Sequence, residues 1–260
     1  MLAPNRPHVV RREIVLRRWP AELDGFTIAQ LSDFHYDPYF SIHPLKAAIG
    51  MVNTLNPDLI VLTGDFVTVP QFGGDDEKGA AEAEPCALLL RQMRATHGLW
   101  AVLGNHDWFT NPNRVASALR AQGISVLANL SVPIESAGGR FWLSGVNDVV
   151  GGGSDLSAAL SKVPPDEATI LLAHEPDFAD YVARYPVDLQ LSGHSHGGQV
   201  RIPLVGPLYL PHMGRKYVWG SYKIGTLSLH TNPGLGTMGV PVRFNCSPEI
   251  TLLTLRRSAG

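Results

Sequence analysis

Two histidines close a short apolar run at Leu189-Gln-Leu-Ser-Gly-His-Ser-His-Gly-Gly-Gln199. A run of this length between turn residues reads as a buried strand, and residues two apart on extended backbone leave the same face. His194 and His196 therefore present both imidazoles on one side. Four further segments follow the same pattern, an apolar strand met at once by Asp, Asn or His: Gln30-Leu-Ser-Asp-Phe-His35, Ile60-Val-Leu-Thr-Gly-Asp65, Ala101-Val-Leu-Gly-Asn-His-Asp107 and Ile170-Leu-Leu-Ala-His174. Together they offer Asp33, His35, Asp65, Asn105, His174, His194 and His196 as oxygen and nitrogen donors, with no thiolate among them. Seven donors exceed what one tetrahedral zinc takes, and they suit two hard or borderline cations sharing a carboxylate. Cations about 3.5 to 4 Å apart hold a hydroxide between them and clamp a phosphoryl oxygen, the arrangement for displacement at phosphorus. Asp65, alone on its strand end behind Gly64, is the natural bridge. His106, between Asn105 and Asp107, reaches such a site without being needed as a ligand, which suits a proton donor.

The elements that must place these groups are legible as an alternation. Residues 13–19 read as an edge strand around Ile14, Leu16 and Trp19, and 26–31 as a second strand leading into Asp33. Apolar residues at helical spacing over 43–55 end at Pro57, and 58–62 is an uninterrupted apolar strand, as a parallel strand covered on both faces should be. A polar loop over 66–79, with Asp75, Asp76 and Glu77 in a row, reads as solvated. A helix over 82–95, a strand over 99–103 and a helix over 112–121, opened by Asn111 as N-cap with Pro112 behind it, complete a second β-α-β unit. Beyond that the rhythm changes. Short antiparallel strands are expected at 125–127, 132–135 and 140–146, with Gly138-Gly139 as the turn of the last two. Short helices at 154–161 and 176–183 frame a strand at 168–173, and two final strands are expected at 221–230 and 250–255. The expected class is α/β, a four-layer α-β-β-α sandwich of two mixed sheets with flanking helices. The donors would lie beyond the carboxyl ends of the strands, where open α/β sheets bind ligands.

Five ordered motifs, Asp33-x-His35, Gly64-Asp65, Gly104-Asn-His-Asp107, His174 and Gly193-His-Ser-His196, together resemble the calcineurin-like metallophosphoesterases over almost the whole chain. The resemblance implies one cation held by Asp33, His35, Asp65 and His196 and another by Asp65, Asn105, His174 and His194. It implies that His106 protonates the leaving oxygen or stabilises the transition state, oriented by Asp107. Two divalent cations are expected, manganese first, with iron, zinc and others admitted by an N/O donor set.

A narrower resemblance continues in Gly197-Gly-Gln199, Gly214-Arg-Lys-Tyr217, Gly234-Leu-Gly236, Pro241-Val-Arg243 and Pro248-Glu-Ile250. These segments are similar to bacterial membrane-associated phosphodiesterases and to UDP-2,3-diacylglucosamine hydrolases of lipid A synthesis. The implied reaction is hydrolysis of a phosphodiester or pyrophosphate bond by a metal-bridged hydroxide, with a phosphoester or lipid-linked pyrophosphate as substrate. One departure is Pro233, where the subgroup pattern carries an arginine. Past the histidines, Ile202, Leu204, Val205, Leu208, Tyr209, Leu210 and Trp219 cluster without periodicity. Such a loop either receives acyl chains or touches a bilayer, or folds back as a lid on its own core. Arg215 and Lys216 are candidates to meet a diphosphate.

Bulk properties bound the rest. Donors spread from Asp33 to His196 need a single sheet system, so residues 1–260 are expected to form one metallophosphoesterase domain, with 1–12 as a basic arm carrying Arg6, Arg11 and Arg12. That arm reads as a solvated strand face or as a contact for anionic headgroups. A net charge of −2 gives no pull toward nucleic acid, and no obligate protein partner is evident. Cys86 and Cys246 read as buried thiols rather than a disulfide framework. No apolar run reaches spanning length and the first residues lack a secretory stretch, so the expected location is cytoplasmic, with peripheral contact on the inner face of the membrane. The competing class is a binding module on the same fold with little catalysis. A scaffold has no use for His106 and Asp107 beside its ligands, which favours the enzyme.

Overall fold

The computed structural model describes residues 6–70 and 76–258; Asp75 of the acidic run lies outside them. The first sheet holds β1 (His8–Leu16), β2 (Thr27–Leu31), β3 (Leu59–Leu62), β4 (Leu99–Ala101), β5 (Ser125–Val126) and β14 (Glu249–Arg257), in the order β1-β14-β2-β3-β4-β5. From β2 to β5 neighbouring strands run parallel; β14 is antiparallel to β2 and parallel to β1. The second sheet holds β6 (Leu130–Ser136), β7 (Gly139–Gly145), β8 (Thr169–Leu172), β9 (Leu189–Ser192), β12 (Gly220–Ile224) and β13 (Leu227–Thr231), in the order β12-β13-β9-β8-β7-β6. Its middle is parallel and its two edges antiparallel. Between β9 and β12, β10 (Arg201–Ile202) and β11 (Gly206–Pro207) form a small separate hairpin.

Period-two alternation assigns each strand residue to a layer. Ile28, Leu59, Val61 and Leu253 of the first sheet meet Phe141, Leu143, Ile170, Leu172, Leu189 and Leu191 of the second in one buried cluster between the sheets. Ala29, Leu31, Ile60 and Leu62 point the other way, onto α1 (Ile42–Leu55), α3 (Ala83–Leu90) and α5 (Pro112–Ala121). On the opposite side Leu171 and Leu229 pack with residues of α6 (Leu156–Leu160) and α7 (Ala179–Val182). Burial on both faces explains the apolar runs at β3 and β8; β9 is equally buried although Gln190 and Ser192 interrupt its apolar residues. The two-sheet, four-layer expectation holds.

Several boundaries differ for identifiable reasons. β5 pairs parallel with β4 in the first sheet instead of joining an antiparallel set; two residues carry too little pattern to show their partner. Ser136 pairs with Gly139, so the β6–β7 turn is Ala137-Gly138, both at positive φ, one residue earlier than expected. The single strand expected at 221–230 is a hairpin, β12 and β13, turning at Gly225. The helix over 82–95 stops at Leu90. Two short helices, α2 (Asp76–Ala80) and α4 (Asn105–Thr110), are additional. Asn111 caps α5 as read, its side chain accepting the Arg114 amide. No described helix is long and apolar enough to cross a membrane.

Candidate metal centre

All five donor segments leave the carboxyl ends of parallel strands: Asp33 and His35 after β2, Asp65 after β3, Asn105 after β4, His174 after β8 and His194 with His196 after β9. The sandwich brings them together at one end. Asp33, His35, Asp65 and His196 form one group of donors and Asp65, His174 and His194 another, the ligand atoms of each group lying within 4.8 Å of one another. Asp65 belongs to both. Its Oδ1 accepts the His106 amide at 2.9 Å, while Oδ2 lies 3.5 Å from His35 Nε2 and 3.2 Å from His174 Nε2. The Asn105 amide oxygen is buried without a hydrogen-bond partner. An unpartnered buried acceptor costs about 1–3 kcal/mol, which argues for a ligand the protein itself does not supply.

The backbone is bent to achieve this. Asp33, His35, Asp65, His194 and His196 have φ between 41° and 67°. Left-handed backbone costs a non-glycine residue about 1–2 kcal/mol, and strain of this kind persists where the surroundings over-determine it. Glycines allow the crowding. At Gly64, φ is 97° and an added Cβ would lie 2.7 Å from both the Gly104 nitrogen and His174 Nδ1. A Cβ on Gly193 would overlap Ser32 and the Asp33 carboxylate.

Second ring nitrogens are held so that a lone pair faces the cluster. His194 Nε2 donates to the His212 carbonyl at 2.7 Å and His174 Nδ1 to the Thr63 carbonyl at 2.6 Å, while His35 Nδ1 bonds Thr68 Oγ1 at 3.0 Å. Burial pushes His35 and His194 down to about 3 and His196 well below its ordinary range, so these imidazoles are neutral, the form that ligates cations. Burial pushes the Asp65 carboxyl up, but His174, His106 and His35 together outweigh it and hold it well below the usual carboxylate range. Burial raises Asp33 to about 6, with His174 opposing and Asp65 adding. Burial opposes a proton on His174, yet Asp65 and Asp33 raise it well above the ordinary histidine range, so a cation at Nε2 would take the place of that proton. The donor set, two carboxylates with imidazoles and an amide oxygen, fits divalent cations of hard or borderline character.

His106 adjoins the cluster, its ring 4.7 Å from that of His35 and edge-on to it. The expectation that Asp107 orients it is corrected. Asp107 is fully buried and its two oxygens accept four backbone amides, those of Asp65, Phe66, Val67 and Gly104, at 2.8–3.1 Å. It ties the loops after β3 and β4 together. The His106 ring is set by the Val69 amide, which donates to Nδ1 at 2.9 Å. A neutral ring so held carries its proton on Nε2. Neither Val69 nor the Thr63 and His212 carbonyls were legible beforehand, because a backbone contact leaves no trace in residue type.

A cavity of 400 Å³ opens from the cluster. Asp65, Asn105, His106, His194 and His196 line one end; Val200, Leu208, Tyr209, Pro211, Met238 and Val240 line the rest. Gln199 is in its wall, but its amide is fully engaged by the backbone of Met238 and Val240. The segment 200–210 does not fold back on a core: Leu204, Val205, Leu208 and Tyr209 are exposed. Arg215 and Lys216, expected to meet a diphosphate, do not line the cavity. Lys216 is paired with Asp180 at 2.7 Å and pushed up to about 12 by it, and Arg215 bonds the Leu210 carbonyl.

Comparison with known proteins places this geometry. An uncharacterized metallophosphoesterase of Bacillus subtilis, YkuE, is 37% identical over 96% of this chain and 84% of its own length. Phosphodiesterase YaeI of Escherichia coli is 32% identical over 88% of this chain and 82% of its own. The transmembrane protein with metallophosphoesterase domain of Bos taurus is 32% identical, and this chain spans 58% of its length. Among solved structures, a putative 5′-nucleotidase of Staphylococcus aureus has a TM-score of 0.54 at 10% identity, covering 91% of this chain and 55% of that one. TT1561 of Thermus thermophilus gives 0.52 at 13%, covering 81% and 90%. At such identities the likeness is one of fold. The family model of the calcineurin-like phosphoesterases matches residues 26–198, a span that takes in every donor from Asp33 to His196. The chain belongs to that family and is a metal-dependent phosphoester hydrolase.

Proposed function

We propose that the chain hydrolyses a phosphodiester or pyrophosphate bond in a substrate carrying a long apolar group, with residues 1–260 acting as one unit. The observation that carries this reading is the cavity wall, which runs from the donor cluster into apolar side chains and offers no Lys or Arg. A polar ester would leave that wall wet on one side and its own polar groups unpaired on the other. The placement of β14, from the far end of the chain, between β1 and β2 supports the single unit.

The seven donors hold two divalent cations in this reading, manganese being the first to try, with Asp65 common to both. When bound, such cations supply the charge that activates water and neutralises phosphoryl oxygens. The protein's own parts do the rest. The Val69 amide keeps the His106 proton on Nε2, where it is available to the departing oxygen. The apolar wall orients the ester group and excludes water other than the nucleophile.

Chain length is the discriminating variable. On chelator-stripped protein reloaded with manganese, a series of p-nitrophenyl alkyl phosphates is expected to show kcat/KM rising with each methylene. A fully buried CH₂ contributes about 0.8 kcal/mol, so four of them set an upper bound of about 200-fold. UDP-2,3-diacylglucosamine in the same panel separates a lipid nucleotide from a simpler lipid ester. A flat alkyl series would reject the apolar substrate.

Exposed apolar side chains suggest how such a substrate is met. Leu204 and Val205 protrude at the tip of the β10–β11 hairpin, and Tyr39, Phe40 and Val240 are exposed as well. Arg215 has its described side-chain bond to a carbonyl, not a carboxylate, and is free to meet an anionic headgroup. Contact with a bilayer surface follows, peripheral in kind. Wild-type protein is then expected to sediment with vesicles of phosphatidylglycerol and phosphatidylethanolamine, and the Leu204→Ser, Val205→Ser double variant to remain in solution; equal sedimentation of the two would remove the hairpin from the reading.

A further inference from the structure

Arg243 is fully buried, yet its side chain reaches no carboxylate among the described residues. Nε and Nη2 both donate to the Gly236 carbonyl, at 2.9 and 2.6 Å; Nη2 also donates to the Pro233 carbonyl at 2.9 Å, and Nη1 to the Cys246 carbonyl at 3.4 Å. Taking a guanidinium out of water costs several kcal/mol. An apolar residue would fill the space at lower cost, so the charged fork itself calls for a reason.

Its partners supply one, because both segments it holds lie directly behind donors. The loop from Pro233 to Gly236 is laid on Asp33. Gly236 donates its amide to the Asp33 carbonyl at 2.7 Å, Leu235 to the Ser32 carbonyl at 3.0 Å, and a Cβ on Gly234 would lie 2.6 Å from that of Asp33. On the other side, Cys246 Sγ donates to the His196 carbonyl at 3.2 Å. Asp33 and His196 belong to the same donor group, hold left-handed φ of 50° and 52°, and their side chains approach to 3.4 Å. The rings of His174 and His194, of the other group, are held by the Thr63 and His212 carbonyls; the only tie of that pair to Asp33 among the described hydrogen bonds is the His194 backbone amide, which donates to the Asp33 carboxylate at 3.0 and 3.1 Å.

We propose that Arg243 is a positioning residue for one cation site only, the one built from Asp33, His35, Asp65 and His196, whose strained Asp33 and His196 backbones it braces from both sides. The proposal rests on the donor assignment made above. It explains why a planar five-donor cation stands where no carboxylate hydrogen-bonds it, with Asp33 and Glu249 acting on it only through their charge: four bonds to three carbonyls fix two loops at once, which a point charge on a flexible stem does not.

The test is a calorimetric titration of metal-free protein with Mn²⁺, on wild type, Asp65→Ala and Arg243→Lys. Wild type is expected to take up two equivalents and Asp65→Ala neither tightly. Arg243→Lys keeps the charge and loses the fork. It is expected to take one equivalent with wild-type affinity and the second at least tenfold more weakly. Two wild-type equivalents in Arg243→Lys, or equal weakening of both, overturns the proposal while leaving the donor assignment standing; a wild type that takes up no cation overturns the assignment and the proposal with it. A general loss of stability would not single out one site. Should Arg243→Lys lack a cooperative unfolding transition, Cys246→Ala takes its place. It removes the brace behind His196 at small volume cost, and the same one site is expected to weaken; an unchanged titration then overturns the proposal.

Discussion

Asp65→Ala is expected to abolish tight binding of both cations and to lower turnover by more than about 10³-fold, beyond the roughly 10–100-fold that loss of an outer hydrogen-bond partner typically costs. The reason is position. Asp65 Oδ2 faces His35 on one side and His174 on the other, so removing it takes a charged donor from each group at once. Oδ1 also accepts the His106 amide, which the alanine leaves unmet. Stability gives an independent readout. A ligand at a hundredfold excess over its Kd stabilises the native state by about 2.7 kcal/mol, so manganese should raise the wild-type melting temperature and chelator should lower it. The variant should melt at the same temperature with and without manganese. An Asp65→Ala protein that still takes up two equivalents would sink the shared-carboxylate centre, whatever its activity.

His106→Ala should behave in the opposite way, keeping both cations and losing turnover. A positioned acid contributes typically about 10²–10⁴-fold, and the amount depends on how badly the leaving oxygen needs a proton. p-Nitrophenolate leaves unaided, whereas an alkoxide does not. The deficit should therefore be small for p-nitrophenyl esters and approach the upper figure for dialkyl phosphates. His106 donates no side-chain atom to either donor group, so Mn²⁺ titration should match wild type. Equal deficits with both leaving groups would assign His106 to charge stabilisation rather than proton transfer.

The candidate donors stand out in the sequence because each sits at a break in pattern: a largely apolar run of four or so residues stops, and Asp, Asn or His follows before any turn. Burial on both faces of β3 and β8 produces that run, and the crowded strand ends produce the glycines beside it. The layers were legible for the same reason. What stayed hidden depends on contacts that residue type does not encode. Asp107 adjoins His106 in sequence, yet its carboxylate turns away from that ring and onto four amides. Two-residue β5 has no periodicity to reveal which sheet it joins. β12 and β13 read as one strand because the Gly225 turn between them is short and the flanking residues keep alternating. Arg243 carries a subgroup motif, but nothing in the sequence tells that it is buried or what it grips.

The two donor groups divide between the sheets in a way that has a mechanical meaning. Asp33, His35, Asp65 and Asn105 hang from the first sheet and His174, His194 and His196 from the second, and each group draws on both. Cations held there would rivet the two sheets at one end of the sandwich, joining the stretches 33–105 and 174–196, which lie 69 residues apart at their nearest. Neither stretch has a complete set alone. Cutting the chain at 127–129, between β5 of the first sheet and β6 of the second, would yield two inert fragments, and recovery of hydrolysis on mixing them would report that the halves had found each other.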